Sequence, residues 1–196
     1  MIFPYHSQQG FTLVETLVAI TILLIVITGP LTISTSAARS TSFSSEQVVA
    51  FFLAQEGAEI MQKARDEQVI LRFLPPSDSR YLVDPWAPFA DISGTYSLCF
   101  LTNGCGLALD TDSVGTIKVP IPCIDQRCAL YFDETEGRAK YFHDAPITTP
   151  VTPFTRVIKL APVGNGLKIE SIVTWRTGGQ REVQEVKVET YLYDIY

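Results

Sequence analysis

Gly10-Phe11-Thr12-Leu13-Val14-Glu15 opens a stretch, residues 16–38, that carries no charged side chain before Arg39 and is rich in Leu, Ile and Val. As a helix rising about 1.5 Å per residue, such a stretch crosses a hydrocarbon core of about 30 Å. Glu15 stands at its front. A carboxylate inside a membrane helix costs roughly 2.5–3.5 kcal/mol on insertion scales, so its presence asks for a partner or a function. An ordinary signal anchor with a stray interfacial carboxylate is the alternative, and the string as a whole weighs against it.

That string resembles the head of the type IV pilin-like proteins, a family that includes pilins and the pseudopilins of type II secretion. The resemblance implies cleavage by a prepilin peptidase between Gly10 and Phe11 and N-methylation of Phe11. It makes Glu15 the assembly glutamate, five residues into the mature chain. It also implies the partners: other pilin subunits, the peptidase, an inner-membrane assembly platform, and lipid around residues 11–33. The location it implies is the cytoplasmic membrane, crossed once with the C-terminal domain outside, and then an extracellular or periplasmic filament. The likeness covers residues 10–38, with a weaker echo in the closing hairpin. The leader, residues 1–9, departs from the pattern: it has no Lys or Arg, only His6, where such leaders are usually basic.

The role of Glu15 has a physical basis. Cleavage leaves an amine that, when ionised, is a cation at the membrane surface. If the next subunit's Glu15 lies beside it, each offsets the other's desolvation, and the pair sets the axial register of stacked helices.

With 196 residues, the chain holds one membrane stalk and one small globular domain. A net charge of −6 argues against a broad nucleic-acid footprint, which would be basic, and no nucleic acid is expected. The four cysteines, Cys99, Cys105, Cys123 and Cys128, all follow the apolar stretch. An even number beyond a membrane span reads as disulfides in an oxidising compartment. Zinc fits the spacings poorly, with His143 the only histidine beyond the leader. Of the possible pairings, Cys99–Cys105 and Cys123–Cys128 are favoured because each flanks a short turn-like stretch.

The chain divides into a leader (1–10), a transmembrane and assembly helix (11–38), an amphipathic half of the same stalk (39–68) and a β-rich domain (69–196). Gly29-Pro30 predicts a kink or a locally unwound turn, with Thr28, Thr32 and Ser34 available to the freed carbonyls. Val49, Leu53, Gly57, Ile60 and Ala64 recur at helical spacing, so this stripe should lie against the domain. Glu59 and Lys63 are placed for an i,i+4 pair, and the helix should end near 66–68. Pro75, Pro76, Pro85 and Pro88 mark a connector. Strands are expected over 95–101, 114–119, 129–132, 138–142 and 154–160, with a turn at 133–137. The clearest hairpin follows. Leu167, Ile169, Ser171, Val173 and Trp175 share one face, residues 177–180 turn, and Val186, Val188, Thr190 and Leu192 continue that face. The fold class is α+β: a long N-terminal helix packed on a C-terminal antiparallel sheet.

No catalytic constellation emerges, so the chain is read as a non-enzyme that needs no cofactor. His143, beside Asp144 before Pro146, reads as a surface pair rather than a dyad. Gly104 and Gly106 lack the strand-to-helix context of a phosphate loop. Asp110 and Asp112 resemble the start of a calcium loop without its full ligand spacing; they are weak calcium candidates, and a solvated acidic turn is the favoured reading. Trp175, in phase with the apolar face, reads as core. The reading is a pilin-like filament subunit; the alternative is a membrane-tethered binding domain that never polymerises.

Overall fold

The structure is a computed structural model that describes residues 10–90, 94–109, 117–125, 127–134, 140–143, 149–177 and 182–194. Helix α1, Leu13–Arg72, runs for 60 residues, past the expected end at 66–68. Its first half is built from Leu, Ile, Val and Ala, and its polar stretch from Ser and Thr. There Thr35 and Thr41 donate hydroxyl hydrogen bonds to the Thr32 and Ala37 carbonyls at 3.0 Å each, which lets small polar residues sit in an exposed helix. Arg72 supplies a cation in the last turn, and Pro75 and Pro76 follow. The helix is unbroken through Pro30, with no unwound turn. Thr28 and Thr32 donate to the carbonyls of Ile25 and Gly29, at 2.9 and 2.7 Å, rather than to that of Val26, which loses its amide donor at the proline.

The chain forms two compact units, Met1–Ser44 and Ser45–Tyr196. In the first, the described residues are helical from Leu13 onward and exposed nearly throughout. The second unit holds the rest of α1, a short helix α2 (Ala87–Ala90) and an antiparallel sheet. The sheet strands are β1 (Cys105–Gly106), β2 (Ile121–Pro122), β3 (Ala129–Asp133), β4 (Lys140–Phe142), β5 (Val151–Val163), β6 (Gly166–Trp175) and β7 (Gln184–Tyr193). Along one edge β5 pairs with β3 and, further along, with β1; its other edge pairs with β6, which pairs in turn with β7. β4 flanks β3 and β2 flanks β1.

The β6–β7 ladder keeps an unbroken register from Gly166↔Tyr193 to Trp175↔Gln184. Leu167, Ile169, Ser171, Val173 and Trp175 are all buried, as their alternation requires. Within the expected turn, residues 178–180 lie outside the described residues, as do residues 135–137 of the expected turn at 133–137. Between β5 and β6 the chain reverses in two residues, Gly164-Asn165, and Gly164 has φ 55°, a conformation glycine adopts without steric cost.

Two expected strands differ. Within 95–101 the chain forms a 3-10 turn, Ser97–Phe100, because Cys99 is bonded to Cys105 with their Cα atoms 4.5 Å apart. Six residues of extended chain would span about 20 Å, so this bond demands a tight reversal. Within 114–119 the described residues contribute only an isolated bridge, Ile117 to Leu109. One expected ion pair also differs. Lys63 pairs with Glu67, while Glu59 accepts a 2.9 Å hydrogen bond from the Gln55 amide. Both carboxylates lie one helical turn from Lys63, and the C-terminal one is chosen.

In the second unit, α1 buries Ala50, Leu53, Ala54, Gly57, Ala58, Ile60, Met61 and Ala64, the expected stripe broadened by small residues. Leu160, Leu167, Ile169 and Leu192 meet Ile60, Met61 and Ala64 in one cluster, which Phe89 and Tyr96 close with stacked rings 4.7 Å apart. Gly57 marks the close approach of helix and sheet: a Cβ there would collide with the Ser171 hydroxyl and come within 3.0 Å of Arg156 Cδ. That hydroxyl is buried and without a hydrogen-bond partner among the described residues. Gly57→Ala should therefore destabilise the second unit by about 1–3 kcal/mol, as overpacking does. Ser171→Ala, which removes the obstructing oxygen, should be near neutral alone and restore part of the loss in the double variant. Denaturant titration of the four chains, followed by tryptophan fluorescence, measures this cycle; strictly additive losses would contradict the contact.

Candidate functional site

The N-terminal string folds according to its local chemistry. Leu13 is the first helical residue, while Gly10, Phe11 and Thr12 precede the helix in irregular backbone. The Thr12 carbonyl accepts the Thr16 amide at 3.2 Å, and the Thr12 hydroxyl accepts the Glu15 amide at 3.3 Å. Thr12 is thus an N-cap, and Thr12-x-x-Glu15 has the spacing of a capping box. The glutamate read as an assembly residue also supplies the backbone donor for this cap, and its acidic side chain sits in the first turn, where the helix dipole favours it. The signal was present in the string as a Thr three residues before a Glu.

Gly10, Phe11 and Glu15 are all exposed, Phe11 at 80%. A Cβ at Gly10 would meet nothing within 4 Å, and its φ is not in the left-handed region, so neither space nor backbone conformation demands glycine there. Behind the string lies a continuous apolar surface. Leu17, Ile20, Leu23, Leu24, Ile27 and Leu31 are about half exposed or more among the described residues. The helix is long and apolar enough to cross a membrane, and the window that passes that test is 0% buried within the chain. A buried core helix of similar composition would be covered by its own fold. Among the described residues this window is exposed, which fits a membrane-anchored protein.

The other candidate residues occupy different places. Cys99–Cys105 and Cys123–Cys128 are disulfides with Cα separations of 4.5 and 5.1 Å, so no thiol remains for a zinc site or a nucleophile. The first bond ties the 3-10 turn to β1; the second closes the turn before β3. Asp110 and Asp112 lie outside the described residues, and among the described residues no group of acidic, histidine or cysteine side chains could hold a metal ion.

His143 is not a surface residue: it is 3% exposed at the end of β4, and its Nδ1–H donates to the Ala129 carbonyl at 3.2 Å. Its other ring nitrogen, Nε2, is buried with no partner among the described residues. Burial, and then the nearby charge of Arg156, push its pKa down to about 4. Arg156 was not foreseen as a structural group. It is fully buried on β5, donating to Glu56 Oε2 at 2.6 Å and to the carbonyls of Leu53 and Leu107 at 3.2 and 3.0 Å. A lone arginine in phase with Phe154, Ile158 and Leu160 was the signal for it.

A family model, the prokaryotic N-terminal methylation motif, matches residues 5–29. That motif is the type IV prepilin signature, and the chain carries it at the head of an uncovered apolar helix. The motif marks pilin-like proteins whose precursors are processed by prepilin peptidase. No curated protein and no solved structure matches the chain.

His143 gives a pH dependence of known sign. Its folded-state pKa, about 4, lies below the ordinary 6.5, so between those values the unfolded chain binds a proton that the folded chain does not. Stability should be full above pH 6.5 and fall as the pH drops towards 4, by about 3 kcal/mol for this group. Denaturant titration of the detergent-solubilised chain at pH 7 and pH 4.5 measures the loss. A His143→Phe variant should lose correspondingly less, and an equal loss in both would contradict the assignment.

Proposed function

We propose that the chain is a minor pilin or pseudopilin: a structural subunit of a type IV pilus-like or type II secretion filament. The observation that carries this reading is the coincidence of the methylation motif with a membrane-length apolar helix window that is exposed among the described residues. In the membrane, lipid covers residues 11–33. In a filament, the apolar helices of other subunits take the lipid's place, and the methylated amine of Phe11 meets a neighbouring Glu15. The pair offsets the cost of holding each charge in a low-dielectric bundle and fixes the axial register. Cleavage falls between Gly10 and Phe11. The second unit stands outside the cytoplasmic membrane, where its disulfides suit an oxidising compartment. The inner-membrane assembly platform is a further partner under this reading.

The alternative, a membrane-tethered binding domain that never polymerises, has no use for Glu15. The two readings separate in one experiment. In cells that supply a prepilin peptidase and an assembly platform, the chain should appear in sheared surface or periplasmic filaments. Glu15→Leu should leave membrane insertion intact and reduce the filament fraction at least tenfold, a loss equivalent to about 1.4 kcal/mol per subunit contact. Filaments at wild-type level in the Glu15→Leu strain would remove this role for Glu15; no filaments in either strain, with the chain cleaved and in the membrane, would favour the tether.

A further inference from the structure

The onset of α1 is contested by two acceptors for one donor. In a helix that began two residues earlier, the Glu15 amide would bond to the carbonyl of Phe11, four residues back. In the structure that amide is donated to the Thr12 hydroxyl, at 3.3 Å, and the helix starts at Leu13. Gly10 and Phe11 are left outside it, exposed, with no neighbour within 4 Å of a Cβ at Gly10. A peptidase must surround its scissile amide and reach the carbonyl carbon, which requires a bond outside the hydrogen-bonded turns of a helix. Extension of α1 through Phe11 and Gly10 would engage their carbonyls with the amides of Glu15 and Val14 and wind the cleavage bond into the first turn.

We propose that Thr12 is a positioning residue for processing. Its hydroxyl captures the amide that would carry the helix back over Phe11, and so keeps the Gly10–Phe11 bond available to the peptidase. The inference rests on the processing reading given above. It assigns to Thr12 a task distinct from that of Glu15: the cap uses the backbone of Glu15, whereas assembly uses its carboxylate. The residue type follows from the chemistry. Ser and Asn retain an acceptor at this position, Val retains the shape of Thr without the acceptor, and Ala has neither and extends helices readily.

The test is the initial cleavage rate of the full chain in membranes containing a prepilin peptidase, read by intact mass. Thr12→Ser and Thr12→Asn should be cleaved within about twofold of the wild-type rate. Thr12→Ala and Thr12→Val should be slower by about fivefold, the equilibrium factor that loss of one cap represents. Amide exchange at Val14 should become slower in the cap-less pair, where the extended helix engages that amide, and not in the acceptor pair. Rapid cleavage of Thr12→Val together with slow cleavage of Thr12→Asn would show that the peptidase reads the side chain's shape, and would overturn the proposal. Equal rates for all variants would overturn it too while leaving processing intact. A wild-type chain that is never cleaved would remove the processing reading and this role together.

Discussion

The guanidinium of Arg156 is the interaction on which the packing of the second unit depends. A buried cation is costly unless its charge is paired and its donors are largely met, and of the Arg156 donors Nε has no partner among the described residues. Here Glu56 of α1 supplies the opposite charge, and the carbonyls of Leu53 on α1 and Leu107 beyond β1 accept further hydrogen bonds. One side chain therefore joins the centre of the sheet to the stalk helix and to the disulfide-tied segment. Gly57, the residue beside Glu56, allows the helix to come close enough for this to happen. Around the polar centre the contacts are apolar. Leu53 and Ile60 lie on the helix, Ile158 and Ile169 on the sheet, and all are buried. The arginine specifies which face of α1 meets the sheet; the aliphatic residues contribute most of the area removed from water.

α1 therefore has two solvents. From Ala50 to Ala64 its buried face is covered by the sheet of its own chain. From Leu13 to Ile33 its apolar side chains are exposed among the described residues. Between them lies a stretch of Ser and Thr, in which the hydroxyls of Thr35, Thr41 and Ser44 bond back to the helix's own carbonyls. The sequence divides at the same places as the physical demands, since apolar residues stand wherever a covering surface is required.

Much of this was legible before the fold was known, because it rests on periodicity. The alternation in 167–175 and 186–192 sets the register of β6 and β7, and the stripe from Val49 to Ala64 sets the buried face of α1. What escaped depends on contacts distant in sequence. Arg156 stands 100 residues from Glu56, and no local pattern links them. His143 beside Asp144 looks like a surface pair, yet burial against Ala129 decides its state. The run 95–101 has strand composition, and the Cys99–Cys105 bond overrides it. At the N-terminus the string itself marks Gly10, Phe11 and Glu15 as candidates. The cap was missed because Thr12 was read as part of a motif and not as a hydrogen-bond acceptor.

The fate of the first ten residues bears most directly on the pilin-like assignment. Intact mass and N-terminal analysis of the chain, recovered from cells that supply a prepilin peptidase, reads that fate. The account predicts a chain that begins with N-methylated Phe11. A chain that still begins at Met1 in the presence of an active peptidase would contradict it, and would leave a membrane-tethered β-domain in its place.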